Sequence, residues 1–415
     1  MLGGLWVPFA IGVTGLAYLY LVAGWGGLRG LGLAAWGSTN SFTLTAIPLF
    51  ILMAEILQQS GLSARVYRGL SVLVRRLPGG LLQTNIAGCA VFAAISGSSV
   101  ATAASIGTAA LPQLAQRGYD YRLSAGALAA GGTLGILIPP SIILMIYGIL
   151  TQTNIGHLFV AGVIPGLLGL LMYLGVIYVI ARVSPQDAPR GERTTMAEKL
   201  HALRGVWPFP LLFVLIIGGL YGKIFTATEA AGMGAGLALI LALSQRRMSW
   251  QSFRQIFIET ATTSVMLYSV LFGAMLFAKL ISFSGLGEGI LELFNDAGLG
   301  PWQTIVAILF VFLLLGCVMD SLAIILICVP LFVPILLAHG FDLVWFGIIV
   351  VVVTEIALIT PPIGMNVFVL KATLPHVRLG AIFRGLTPFI AIDVVRLALL
   401  VIFPSISLAL VAFMK

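Results

Sequence analysis

Ser96-Gly97-Ser98-Ser99-Val100-Ala101-Thr102 is a polar knot inside forty residues, Leu77 to Gln116, that contain no charged side chain. Hydroxyls and a glycine in such surroundings need a reason. The apolar runs on either side, Leu81 to Ile95 and Ala103 to Ala115, are each nearer fifteen residues than the roughly 20 that a membrane span requires. Two short helices meeting at a polar tip predict a re-entrant hairpin. Irregular backbone at membrane depth survives only where protein buries it or where it lines a watery cavity, so the tip is expected to face a site. The plainer alternative is a helix pair joined by a Ser/Gly turn at the membrane surface, and a second copy of the pattern decides against it.

Composition sets the class. With 60% hydrophobic residues, 9% charged residues and a mean hydropathy of +1.11, the 415-residue chain is a polytopic helical membrane protein. Ordinary globular sequences carry about a quarter charged residues. The net charge of +8 matches a positive-inside bias in a membrane protein, so a nucleic-acid partner is not indicated and the lipid bilayer is. Cys89, Cys317 and Cys328 sit in apolar runs without metal or disulfide spacing. Met1 to Gly24 has no basic leader or cleavage pattern and is expected as a retained first helix, with its span over Leu5 to Val22.

Further spans are expected at about Phe42 to Leu57, twice within the charge-free Leu123 to Ala181, and at Trp207 to Tyr221 and Ala230 to Leu243. The rest of the chain predicts spans at Ile256 to Ile281, Trp345 to Leu370 and Phe389 to Phe413. Arg65, Arg68, Arg75 and Arg76 alternate with apolar residues, the pattern of a basic amphipathic helix on the cytoplasmic membrane surface. The polar loop Arg182 to Arg204 is the stretch that resembles a linker, with Arg246, Arg247, Arg254, Lys371, Arg378 and Arg384 on its side of the membrane. Glu288, Glu292 and Asp296 form an acidic patch on the far side, beside a second short helix pair, Trp302 to Val318 and Leu322 to Leu337, around Met319-Asp320-Ser321.

The two halves repeat. Adding 222 to Pro112, Leu114, Gly118, Asp120, Pro139 and Pro140 gives Pro334, Leu336, Gly340, Asp342, Pro361 and Pro362. With a slightly different offset Ser60-Gly61-Leu62 matches Ser284-Gly285-Leu286, and Gly162 and Pro165 match Gly385 and Pro388. A spaced set of Pro, Gly and Asp does not recur by chance. The first hairpin is rooted among arginines and the second beside acidic residues, so the expected fold is an inverted-topology repeat. Residues 1–182 form the first copy, 183–206 a cytoplasmic linker and 207–415 the second copy. Such repeats are typical of secondary transporters, which bind substrate and coupling ions at broken helices near the midplane.

Each hairpin is followed by a span broken at a Pro-Pro pair, Gly131 to Pro140 in one copy and Glu355 to Asn366 in the other. Pro-Pro removes two N–H donors and bars the preceding residue from the α region, so carbonyls are freed. Freed carbonyls with Ser, Thr and Asn oxygens suit a hard cation such as Na⁺, while half-helix N-termini suit an anionic substrate group. Paired kinks without a ligand are the competing reading, which matching breaks after polar-tipped hairpins disfavour. Ser98 and Ser99 fall on Asp320 and Ser321 in the repeat. Asp320 is the sharpest signal, an intramembrane acid, with a capping or vestibule role as its alternative. Glu355, at the place of Thr133, is a ligand, a proton carrier or a structural partner. Glu55 and Lys279 read as interfacial or structural, and His157 and His376 have no ligand spacing. No phosphate loop, nucleophile elbow or zinc motif is present, and no organic cofactor is expected.

The residues Ser96 to Thr102, Gly131 to Pro140, Gly316 to Ser321 and Thr360-Pro361-Pro362-Ile363-Gly364-Met365-Asn366 resemble those of the large membrane subunit of TRAP transporters, the tripartite ATP-independent periplasmic type. More distantly, the hairpin-plus-broken-helix units resemble divalent-anion/sodium symporters, which implies an elevator-type transport domain. The resemblance implies sodium-driven uptake of a small carboxylate across the bacterial inner membrane. It implies delivery by a periplasmic binding protein and a small four-helix membrane subunit, expected as a separate chain because no such segment precedes Met1. Candidate sodium- or substrate-binding residues are Ser98, Ser99, Thr102, Gly132, Thr133, Gly135, Asp320, Ser321, Glu355, Thr360, Gly364 and Asn366. Sodium itself is placed at Ser98, Ser99, Gly135, Asp320, Ser321 and Thr360, with one site expected at each tip. A stand-alone ion or anion transporter is the first rival, and a membrane enzyme pairing Asp320 with Glu355 the second.

Overall fold

The computed structural model describes residues 7–414 apart from 30, 33–35, 37–39, 190, 192, 193, 246, 247, 375 and 376. The expected start of the first span at Leu5, the pair Arg246-Arg247 and His376 lie outside the described residues. Every regular element among the described residues is helical. Helix α1 (Val7–Leu28) is followed by α2 (Ala46–Gln59) and α3 (Leu62–Val74), and the first hairpin is α4 (Gly80–Ser96) with α5 (Ser99–Gln116). The first broken helix is α6 (Tyr121–Thr133), a 3-10 turn at Leu134–Ile136, and α7 (Ile142–Thr151), after which α8 (Ile155–Val183) closes the first half. Then come α9 (Met196–Val206), α10 (Pro208–Tyr221), α11 (Ala227–Ser244), α12 (Trp250–Ser284) and α13 (Leu286–Asp296). The second hairpin is α14 (Pro301–Gly316) with α15 (Ser321–Ala338), and the second broken helix is α16 (Leu343–Ile359) with α17 (Met365–Thr373). Helices α18 (Leu379–Ile402) and α19 (Ser405–Ala412) end the chain. Among the described residues six helices are long and apolar enough to cross a membrane, or seven if the bent pair α9 and α10 counts as one span.

Residues that recur in the sequence do the same backbone work in both halves. Gly61 and Gly285 take φ of 73° and 67°, and Gly118 and Gly340 take 75° and 73°, the left-handed region that glycine enters without steric cost. Tyr119 N–H donates to Leu114 O (3.1 Å) and Phe341 N–H to Leu336 O (3.0 Å), so the two hairpins end in the same reversed turn. Asp120 then caps α6, its Oδ1 accepting from Arg122 and Leu123 N–H at 2.9 Å each. Asp342 caps α16 from Val344 and Trp345 N–H at 2.7 and 2.9 Å. Each such cap contributes about 1 kcal/mol. Both Pro-Pro bonds are cis.

Four expectations are corrected. The arms of the first hairpin are 17 and 18 residues, longer than fifteen. The reason is that Ser98 is an N-cap whose side chain accepts from Ala101 N–H, so Ser99 and Thr102 begin a helix instead of prolonging the tip. Gly131 and Gly132 stay helical and the chain opens only after Thr133. The linker contains α9, started by a capping box between Thr195 and Glu198. Helix α9 packs on α3 where Gly69 lacks the Cβ that would lie 2.4 Å from Val206 Cγ2. The last span begins at Leu379, not Phe389, and ends at Ile402, because Pro404 cannot continue it.

The broken helices cross between hairpins. Half-helix α7, after the first break, packs on α15 of the second hairpin, while α17, after the second break, packs on α5 of the first. Each tip nevertheless stays against the broken helix of its own half, where a Cβ at Gly97 would lie 3.1 Å from Ile142 and one at Gly316 2.4 Å from Ala357.

Candidate ion- and substrate-binding site

Both hairpin tips border one cavity of about 180 Å³. The first tip contributes Ser98 and Ser99, the second Asp320 and Ser321, the first break Ile136 and Ile142, and α16 contributes Leu358. Thr263 and Met266 of the long helix α12 form the remaining wall. The tips, expected to make one site each, thus occupy two positions on a single cavity.

The two tips share an arrangement. Ser98 and Asp320 are the N-caps of α5 and α15, accepting from Ala101 N–H (3.3 Å) and Leu322 N–H (3.2 Å). The next residue in each case is a serine only 2% exposed, and among the described residues neither Ser99 Oγ nor Ser321 Oγ has a hydrogen-bond partner. A buried hydroxyl left unpaired costs about 1 to 3 kcal/mol. These two stand at matching places on one cavity. The helix starts add orphan N–H groups and a partial positive charge, favourable to an anion, while the Asp320 carboxylate favours a cation. The arrangement suits a cation and a carboxylate side by side.

The other candidate residues are not in the lining of this cavity. The Thr102 hydroxyl donates to Ser98 O at 2.8 Å and lies 3.0 Å from Ser96 Oγ. Gly132 lets α6 approach Ser99 O, which a Cβ would meet at 3.0 Å, and at Gly135 a Cβ would meet Ala93 at 2.1 Å. Thr133 Oγ1 donates to Ala130 O (2.7 Å), and Thr360 Oγ1 donates to Ile356 O (2.6 Å) at the end of α16. Gly364, at φ 63°, starts α17. Asn366 donates to Ala129 O across the halves (3.1 Å), and its buried Oδ1 has no hydrogen-bond partner among the described residues.

Glu355 stands apart. It faces the Arg396 guanidinium (3.7 Å) and does not line the cavity with Asp320, so the two carboxyls are not a catalytic pair. Three features escaped the sequence reading. Thr263 comes from a helix remote in sequence, and no local signal marks it. Asp393 and Arg396, opposite charges three apart inside an apolar span, were a legible signal.

Polar-tipped hairpins and broken helices around an internal cavity, in a chain of long apolar helices, define a helical membrane transport protein. The chain belongs to the family of the DctM component of tripartite ATP-independent periplasmic transporters, whose family model matches residues 1–406. It is similar to the C4-dicarboxylate TRAP transporter large permease protein DctM of Pseudomonas aeruginosa, with 38% identity over 385 residues, 92% of this chain and 89% of that one. It is also similar to the sialic acid TRAP transporter large permease protein SiaM of Vibrio cholerae, with 30% identity covering 99% and 95% of the two chains. Among solved structures the YdaH transporter of Alcanivorax borkumensis shares the fold, with a TM-score of 0.66 at 14% identity and coverage of 96% and 97%. The protein is a multi-pass permease subunit of the inner membrane and not an enzyme.

Proposed function

We propose that the chain carries a small carboxylate, a C4-dicarboxylate, a sialic acid or a similar organic acid, into the cell on the sodium gradient. A periplasmic binding protein delivers the substrate, and a small four-helix membrane subunit stands beside the chain. The observation that carries this reading is the pair of buried, unpartnered hydroxyls of Ser99 and Ser321, each following a helix cap on the same cavity. In this reading residues 1–182 and 207–415 are oppositely inserted copies. Hairpins and broken helices move together as an elevator-type body against the scaffold helices. The matched caps and turns of the two halves support it, as do the arginines at the root of one hairpin and the acids beside the other.

The experiment is uptake into vesicles. The complete three-part system should accumulate substrate only with an inward sodium gradient. Robust uptake by this chain alone would refute the tripartite reading in favour of a stand-alone transporter. Topology is checked with single cysteines, those within Arg65 to Arg76 reacting from the cytoplasm and one at Glu292 from the periplasm.

A further inference from the structure

Outside the cavity the interior holds a buried ion cluster. Arg396 of α18 is 0% exposed, and its Nη2 lies 3.0 Å from Asp393 Oδ1 and 3.7 Å from Glu355 Oε2. The Tyr173 hydroxyl of α8 donates to Asp393 Oδ2. Space for the guanidinium exists because residue 169 is glycine, where a Cβ would lie 1.9 Å from Arg396 Nη1. The cluster therefore ties α16, which runs into the second break, to two long helices, α8 and α18. Among the described residues, the charged and titratable groups that face Glu355 are Arg396 and Asp393, with Tyr173 behind Asp393.

Two carboxyls share one guanidinium. If both were ionised, a surplus negative charge would sit in the interior, and a buried ion of that kind costs several kcal/mol even after relaxation. A metal ion is a poor remedy. The guanidinium already occupies the space between the acids, and among the described residues no group of three or more His, Cys, Asp or Glu side chains is placed to hold one. A proton needs no such shell. The donors also distinguish the two acids. Asp393 Oδ2 accepts from Tyr173 and its Oδ1 lies 3.0 Å from the guanidinium, as a carboxylate would, whereas Glu355 stands farther off at 3.7 Å and, among the described residues, no hydroxyl or N–H donates to either of its oxygens.

We infer that the cluster is a one-proton site, in which Glu355 carries a proton as a neutral carboxylic acid beside the ionised Asp393–Arg396 pair. The ligand is the proton, held five residues before Thr360 on the helix that breaks. The inference is independent of the sodium reading, because none of its residues lines the cavity.

The test is infrared spectroscopy of the purified permease with its small subunit, in lipid at neutral pH, comparing wild type with E355Q and D393N. An undissociated carboxylic acid gives a carbonyl stretch that shifts in D₂O, and E355Q should remove one such band. Glutamine is close to isosteric with the neutral acid, so E355Q should also melt at the wild-type temperature. D393N strips Arg396 of its close anion and should lower the melting temperature or prevent assembly. The inference is overturned if the band survives E355Q, or if E355Q is destabilised while D393N is tolerated. Failure of sodium-driven uptake would leave this spectroscopic result untouched, so the two readings fail separately.

Discussion

The two hairpin tips reach the same cavity by different chemistry. In the first, two residues join the helices, and Gly97 turns the chain at φ 64°. Hydroxyls then close the turn on itself, with Ser96 against Thr102, Thr102 donating to Ser98 O, and Ser98 capping α5. In the second, the longer link Cys317 to Asp320 has no left-handed glycine, and a carboxylate does the capping. At the place of Thr102 stands the buried, apolar Ile324. What survives this divergence is the orphan serine, Ser99 in one tip and Ser321 in the other. Closure of the turn is therefore interchangeable, whereas a free buried oxygen after the cap is common to both. The difference also puts the charge on one side only, so a cation between the tips is expected to depend more on the second.

The change that should break this asymmetry most is Asp320→Asn. Asparagine caps a helix about as well as aspartate, so the fold of α15 is kept while the charge is lost. Half-saturating sodium for uptake should rise by about tenfold or more, since about 1.4 kcal/mol of lost attraction already shifts an equilibrium by that factor. Uptake against sodium concentration at saturating substrate measures it. A wild-type sodium curve would reduce Asp320 to a cap and make the tips equivalent.

Next in size are Ser99→Ala and Ser321→Ala. Neither hydroxyl has a hydrogen-bond partner among the described residues, so its removal should leave the melting temperature level or raised. Each should weaken sodium dependence by roughly two- to tenfold, the range of about 0.5 to 1.5 kcal/mol for one polar contact. Similar shifts from both would sharpen the claim that the serines are the shared element. A loss of stability with an unmoved sodium curve would make them structural.

The paired geometry explains what could be read from the sequence. Glycine at positive φ, aspartate as a helix cap and proline at a break act through chemistry that few other residues supply, so Gly118, Asp120 and Pro139-Pro140 announced themselves with their counterparts. Serine and threonine do not, because the same hydroxyl suits an irregular tip or a helix start. For that reason Ser99 and Thr102 read in the sequence as tip residues, which makes the arms of the first hairpin look shorter than they are. Helix α9 carried a readable capping box, Thr195 with Glu198, but its charged composition resembles a loop. The cavity wall at Thr263 depends on which distant helix packs there, a matter of tertiary contact with no local trace.

Thr102→Val should have the smallest effect, and it tests whether the hydroxyl network of the first tip is bracing or ligand. Thr102 is fully buried, and valine replaces its hydroxyl with a methyl of nearly the same size, so packing against the tip is kept. The substitution deletes the bond to Ser98 O and leaves Ser96 Oγ without that neighbour. A loss of about 1 kcal/mol of stability is expected for a buried hydrogen bond removed without a cavity. Sodium dependence should stay put, because the hydroxyl already has a protein acceptor and Thr102 does not line the cavity. The second tip gives independent grounds, since it forms the same cap with the apolar Ile324 at the equivalent place. Melting of the purified complex, with and without sodium, separates the outcomes. A melting point lowered by the same amount in both conditions fits a brace. A drop confined to the sodium-bound protein, with a matching rise in half-saturating sodium, would make Thr102 a ligand and the first tip the stronger of the two cation sites.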